Sequence, residues 1–310
     1  MVLPTDTAGT IGAVLDCLRA QPLAHQIEVV LVTPEGSRIQ RVLEAPDEFA
    51  GIRVVEVPSL SPLGPARAAG IRAASAPLVF LGETHSYPQP GWLDSLLMAF
   101  LTGPWDVVAC GMINANPGSL TSWAGFIADY GRWISSLPAG EISEAPLYNA
   151  VYRREALASL GDGLDGLLSH GDNLRIALQS RGRRAYLSPG TRLAHLNINR
   201  LPTAIWERVL AGILIGVQRS GRWPLWKRLA YATAWPLIAL VLFRRILPGY
   251  GSACQGGGIP WGTLPLILGL QSARAFGEFL GYLGFGGTNH QAQMDELEIH
   301  KVAHCAGTAT

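Results

Sequence analysis

The stretch APLVFLGETHSYPQPGWLDSLLMAFL, residues 76–101, decides the fold. Its first six residues form an apolar run of the length and composition of a buried strand, and GWLDSLLMAFL (91–101) places apolar residues at helical spacing. A strand that enters a helix through one polar, proline-rich loop is a βα unit. The same order recurs on both sides of it. IEVVLV (27–32), IRVVEV (52–57) and WDVVACG (105–111) read as further strands, with helical patterns over 11–21, 36–45 and 64–74 between them. Alternation of this kind predicts an α/β fold, with a mostly parallel sheet and crossover helices.

In open sheets of this type, ligands collect outside the carboxyl ends of the strands. That rule gathers PTDT (4–7), TPEG (33–36), PSLSPLG (58–64) and GETHSYPQP (82–90) around one crevice. Within PSLSPLG, Ser61, Pro62 and Gly64 read as loop geometry.

The 310 residues suffice for one large domain or a domain with an appendage. Hydrophobic residues make up 48% and charged residues 15%, and the mean hydropathy is +0.22, so apolar surface is expected outside the core. A net charge of +1 gives no reason to expect nucleic acid as a partner. Cys17, Cys110, Cys254 and Cys305 form no C-x-x-C pair, which argues against a thiolate zinc site or a disulfide framework. The first residues, MVLPTDTAGT, lack the pattern of a secretory signal, so a cytoplasmic catalytic part is expected.

From about 112 to 200 the pattern is irregular, with one clear helix over 171–182. Beyond 200 the composition changes. LAYATAWPLIALVLF (229–243) is uncharged, contains a mid-run proline, and lies between Lys227-Arg228 and Arg244-Arg245. Its 15 residues fall short of the roughly 20 that cross a bilayer upright. GIPWGTLPLILGL (258–270) and AFGEFLGYLGFGG (275–287) are further apolar segments. Three readings of 201–287 stand open. The first is monotopic or re-entrant membrane association, with Trp223, Trp226, Trp235 and Trp261 as interfacial anchors. The others are spanning helices and a buried helical subdomain. The expected division is 1–200, a membrane-associated 201–287, and a loose polar tail over 288–310.

The ordered set of motifs resembles the family 2 glycosyltransferases. VLPTDTAGTIGAVLDCLRAQ is similar to the family's opening strand and helix, ARAAGIRAA (66–74) to its A-R-N-x-G-I-x-x-A segment, and ETHSYPQPGWL (83–93) to its acidic loop. SWAGFIADYGRW (122–133) and YNAVYRREAL (148–157) resemble later segments of a subgroup that carries Glu-Asp-His at the loop; here Thr84 stands where that subgroup has Asp. The resemblance covers about residues 2–200. It implies a doubly wound GT-A sheet followed by a C-terminal apolar helical region. It also implies transfer of a sugar, with inversion, from a nucleotide-diphosphate donor to a lipid-linked or surface-glycan acceptor at the cytoplasmic face of the membrane. A non-catalytic nucleotide-sugar-binding or assembly protein is the alternative. A nucleotidyltransferase fits less well, because no glycine-rich loop with a lysine follows the first strand.

Sugar transfer of this kind needs a leaving diphosphate neutralised, commonly by Mg²⁺ or Mn²⁺ on carboxylates or imidazoles, and a base for the acceptor hydroxyl. Glu83 and His85 alternate on the loop and can face one ion, with His195 after the late strand completing the set. Each histidine equally reads as a hydrogen-bonded loop or strand-end residue. Thr84 leaves this loop a single carboxylate. For the base, the resemblance points to the residues just before LRIAL, where Asp172 and His170 are the candidates. Asp172 equally suits a helix N-cap. Pro4, Thr5 and Glu35 at the first two strand ends are candidates for the base and ribose of the donor. Arg67, Asn149 and Arg153 are candidates for the rest of the donor or the acceptor.

Overall fold

The computed structural model describes residues 1–37, 39, 48–169, 171–255 and 258–305, with backbone alone at 171 and 172. The helix expected over 36–45 falls almost wholly outside the described residues. The chain divides into two compact units, one of 1–113 and 133–195, the other of 114–132 and 196–310.

The first unit holds the sheet. Its strands are β1 (Val2–Pro4), β2 (Glu28–Pro34), β3 (Gly51–Val57), β4 (Leu78–Leu81), β5 (Ser86–Pro88), β6 (Val107–Asn114), β7 (Gly140–Ile142), β8 (Ala150–Arg153) and β9 (Ala185–His195). They run in the order β3-β2-β1-β4-β8-β6-β9-β5, and β7 pairs with β9. The helices, numbered along the whole chain, are here α1 (Ala8–Arg19), α2 (Leu63–Ala73) and α3 (Trp92–Leu101), then α5 (Arg154–Ala158), α6 (Leu164–Leu167) and α7 (Gly171–Gln179). α4 belongs to the other unit.

β3, β2, β1 and β4 are parallel, as the repeated βα pattern requires. Val29, Val30, Leu31 and Val32 of β2 are all buried, as expected of a strand between two neighbours with covered faces. At the edge, β3 exposes Arg53 and Glu56. α2 packs on β1, β2 and β3 through a close approach: a Cβ at Gly70 would meet the Val32 side chain at 2.7 Å. The remainder of the sheet is not parallel. β8 runs antiparallel between β4 and β6, and β9 pairs antiparallel with β5 and β7. The strand read at 105–111 therefore keeps the direction of β4 without touching it.

The second unit comprises α4 (Leu120–Tyr130), α8 (Leu201–Ser220), α9 (Leu225–Thr233), α10 (Trp235–Gln255), α11 (Thr263–Tyr282) and α12 (Thr288–Ile299). α11 packs against α4, α8, α9 and α10. Glycines set its contact with α8. A Cβ at Gly212 would lie 2.8 Å from the Gly277 Cα, and one at Gly281 would lie 2.9 Å from the Gly216 Cα. Helix backbones this close admit no side chain between them. The buried Glu278 carboxylate accepts from Arg219 and the Tyr282 hydroxyl, both at 2.9 Å. Arg208 makes a two-pronged pair with Asp129.

Three features of this unit differ from the sequence reading. The uncharged run 229–243 is shared between α9 and α10, and Pro236 falls in the first turn of α10, where its missing N–H removes no helical bond. The two apolar segments read at 258–270 and 275–287 are joined by the single helix α11, which takes in 263–270 of the first and 275–282 of the second. Residues 288–299, read as loose tail, are helical. Lys301 just beyond them is buried between Glu298 at 3.1 Å and Glu207 at 3.7 Å, so ion pairing anchors a segment with little apolar character.

Candidate functional site

The loop after β4 folds inward. Glu83, Thr84, His85 and Ser86 are all buried, although all four carry polar side chains. β5 begins at Ser86 and pairs antiparallel with the end of β9, with Ser86 opposite His195. This register brings His195 to His85: their rings meet edge to face with centroids 4.8 Å apart.

Glu83 Oε2 is the focus of the cluster. It accepts from Asn149 Nδ2 at 2.7 Å and from Ser86 Oγ at 3.1 Å. His195 Nε2 lies 3.4 Å from the same oxygen and His85 Nε2 lies 3.6 Å from it. The ligating atoms of Glu83, His85 and His195 all fall within 4.8 Å of one another. Two atoms each about 2.1 Å from one ion stand roughly 3.0–3.4 Å apart, so closing on a divalent metal would draw the widest pair together by up to roughly 1.5 Å. One carboxylate and two imidazoles suit a first-row transition ion better than Mg²⁺, which prefers oxygen and water.

Asn149 is held in an unusual conformation. Its φ is 61°, left-handed, and it is the one non-glycine residue with positive φ among those described. Asn tolerates this region better than most residues, and such outliers concentrate at functional sites. The preceding Tyr148 serves two neighbours. Its ring stacks on the Arg67 guanidinium at 3.5 Å, and its hydroxyl donates to the Leu168 carbonyl at 3.2 Å, just before α7. Arg67 itself, on the second turn of α2, is 3% exposed, and its Nε and Nη1 have no hydrogen-bond partner among the described residues. No carboxylate among the described residues pairs with it, and a buried guanidinium calls for an anion.

The other candidates scatter. Pro4 ends β1, and the Thr5 hydroxyl is spent on its own loop, with Thr7 O at 2.9 Å and Thr10 Oγ1 at 2.5 Å. Glu35 is exposed at the β2 turn, its backbone N–H bonded to Val57 O. Arg153 lies away from the cluster. It sits opposite Leu78, four residues or about 13 Å along β8 from Asn149, where its Nε donates to Trp105 O at 2.8 Å and its guanidinium faces the Phe100 ring. Gly64 is geometry: a Cβ there would meet Ser169 N at 3.0 Å. His170 lies outside the described residues, and Asp172 is placed by backbone only, in the first turn of α7. Ser86 and Tyr148 are partners that the sequence reading did not single out. The signal for Ser86 was its position three residues after Glu83 in the same loop.

Comparison with known proteins gives one family. The family described as Glycosyl transferase family 2 matches residues 6–161, just over half of the chain. No curated protein matches. Among solved structures, residues 1–349 of TarS from S. aureus align at 18% identity and a TM-score of 0.43, over 60% of this chain and 57% of that one. The chain thus spans less than two thirds of that structure. The mannosyltransferase PcManGT from Pyrobaculum calidifontis, solved in complex with GDP-Man and Mn2+, aligns at 16% identity and a TM-score of 0.44, over 95% of this chain and 77% of that one.

Proposed function

The chain belongs to glycosyl transferase family 2, and from that premise we propose that it transfers a sugar from a nucleotide-diphosphate donor to an acceptor hydroxyl. The observation that carries the proposal is the buried Arg67, stacked on Tyr148 and facing no carboxylate among the described residues, together with the Glu83, His85 and His195 cluster that Asn149 joins. A buried cation with no counter-ion among the described residues and three converging metal-type ligands match the two needs of a leaving diphosphate.

In this reading Glu83, His85 and His195 hold a divalent ion, Mn²⁺ in preference to Mg²⁺ for the donor-set reason above. The ion, when bound, neutralises charge developing on the diphosphate. The chain's own groups do the rest. Asn149 and Ser86 fix the Glu83 carboxylate by donating to Oε2, which orients the ligand as outer partners do in metal sites. Arg67, immobilised against Tyr148, offers its guanidinium to a phosphate oxygen. Asp172, in the first turn of α7, or His170, two residues earlier in the sequence, takes the proton of the acceptor hydroxyl. Attack on the face opposite the leaving diphosphate then inverts the anomeric centre. Pro4, Thr5 and Glu35 lie at the carboxyl ends of β1 and β2, where the base and ribose of a donor would rest.

For the acceptor we propose a lipid-linked or surface glycan at the cytoplasmic membrane face, a reading that draws on the apolar C-terminal third of the sequence. Thr84, in the place of an aspartate, is compensated in this scheme by the second imidazole, since His195 supplies the third ligand from β9.

The test is a transfer and donor-hydrolysis assay with membranes across a panel of nucleotide sugars, comparing wild type with Glu83→Ala, His85→Ala and Arg67→Gln. Turnover by wild type of at least one donor, reduced about 100-fold or more in the variants, is expected. Equal activity of all four proteins, or donor binding by wild type without turnover, would overturn it.

A further inference from the structure

The near-zero net charge conceals a strong asymmetry. Residues 208–277 contain eight Lys and Arg and no Asp or Glu, leaving 16 cations against 23 carboxylates in the rest of the chain. Arg208 and Arg219 are matched to Asp129 and Glu278. Arg222, Lys227, Arg244 and Arg245, by contrast, face no carboxylate among the described residues.

The same segment carries more than half of the exposed large apolar side chains among the described residues. On α9, Trp226 is 71% and Leu225 68% exposed, with Leu229 one turn on. On α10, Leu237, Leu240 and Val241 form an exposed strip that continues, one turn later, into Arg244. Trp223 lies under the Lys227 ammonium at 4.2 Å, an aromatic body beside a cation. Exposed tryptophan and leucine interleaved with unmatched cations is the pattern of a helix lying in a bilayer interface.

α10 has the length, 21 residues, and the apolar composition to cross a membrane, but the position of its charges opposes that placement. Arg244 and Arg245 are at its midpoint, where a charge is most costly in lipid. Its second half is also committed to protein. Gly249 and Tyr250 are buried, and a Cβ at Gly249 would lie 2.9 Å from the Gly131 Cα. In the plane of the interface both constraints vanish: the leucines enter the acyl boundary and the arginines remain at phosphate level.

We propose that α9 and the first half of α10 form an in-plane docking surface for an anionic phospholipid bilayer, with Arg222, Lys227, Arg244 and Arg245 meeting headgroup phosphates. The proposal makes the membrane side of the functional reading specific in lipid charge and geometry. It does not depend on sugar transfer, because its readout is binding.

The experiment is flotation of the full chain with neutral phosphatidylcholine vesicles and with vesicles containing about 30% phosphatidylglycerol. Binding to the anionic vesicles, reversed by about 1 M salt, is expected, together with a loss of roughly 30-fold in partition for Arg244→Gln/Arg245→Gln, about fivefold per removed charge. Leu225→Ser/Trp226→Ser should also release the protein, and both variants should keep the wild-type thermal midpoint. Should either variant fail to fold, the lipid and salt dependence of wild type still decides. Equal binding to neutral vesicles, no binding to either, resistance to salt extraction, or a dimer that masks the surface would each overturn the proposal.

Discussion

Asn149 Nδ2 donates to Glu83 Oε2 at 2.7 Å from a backbone in the left-handed region, so one residue both bears strain and fixes the central carboxylate of the cluster. The two roles separate by substitution. Asn149→Gly keeps the backbone conformation and loses the hydrogen bond, whereas Asn149→Ala loses both. Both variants should bind metal and donor about 10- to 100-fold more weakly. Asn149→Ala should also be less stable than Asn149→Gly by about 1 kcal/mol. Titration calorimetry and thermal denaturation measure the two effects. Wild-type metal affinity in Asn149→Gly would remove the positioning role.

The glycines of α8 and α1 predict opposite outcomes at two positions that look alike in sequence. Gly212 faces the Arg274 to Glu278 backbone with no room for a side chain, whereas a Cβ at Gly12 in α1 meets nothing within 4 Å. Gly212→Val should cost about 3 kcal/mol or more through overpacking. Gly12→Ala should gain about 0.5–1 kcal/mol by restricting the unfolded chain. Thermal midpoints moving in the same direction would contradict the packing described.

Acid sensitivity should trace in part to Glu28 on β2. Burial pushes its carboxyl up, but bonds from the Ser75 N–H at 2.8 Å, the Ser75 hydroxyl at 3.0 Å and the Ala76 N–H at 3.0 Å outweigh this and hold it below its ordinary 4.5. A depressed carboxyl stabilises the fold above its unfolded value, and that contribution disappears as pH falls through the lower folded value. Wild type should therefore lose stability below pH 4.5, and Glu28→Gln should start about 1 kcal/mol lower at neutral pH and fall less steeply. Denaturant midpoints between about pH 3.5 and 7 measure both; parallel curves would exclude Glu28 from the acid response.

Much of the parallel half of the sheet was legible because each strand is a contiguous apolar run and each helix keeps its own period. The antiparallel half was not. β8 is only Ala150–Arg153, and its insertion between β4 and β6 depends on pairings with residues some 40 and 70 positions away, which no local pattern encodes. The same contrast governs the site. Glu83 and His85 could be grouped because they share a loop, and His195 because it follows a strand, but its meeting with His85 rests on the β5–β9 register. Arg153 shows the converse: four residues from Asn149 in sequence, it is carried along β8 to the other end of the pairing with β4. The helix at 288–299 has no apolar stripe to betray it, because the ion pairs of Lys301, not a hydrophobic face, fasten its C-terminal end.

Glu83, His85 and His195 holding one metal ion together is the central claim. Its most direct test is titration of the full chain with Mn²⁺ at saturating nucleoside diphosphate, with free Mn²⁺ followed by electron paramagnetic resonance. One ion per chain is predicted for wild type, with affinity reduced by about 100-fold or more in His85→Ala and in His195→Ala while their thermal midpoints persist. Mn²⁺ binding unchanged in both variants, or undetectable in wild type, would contradict it.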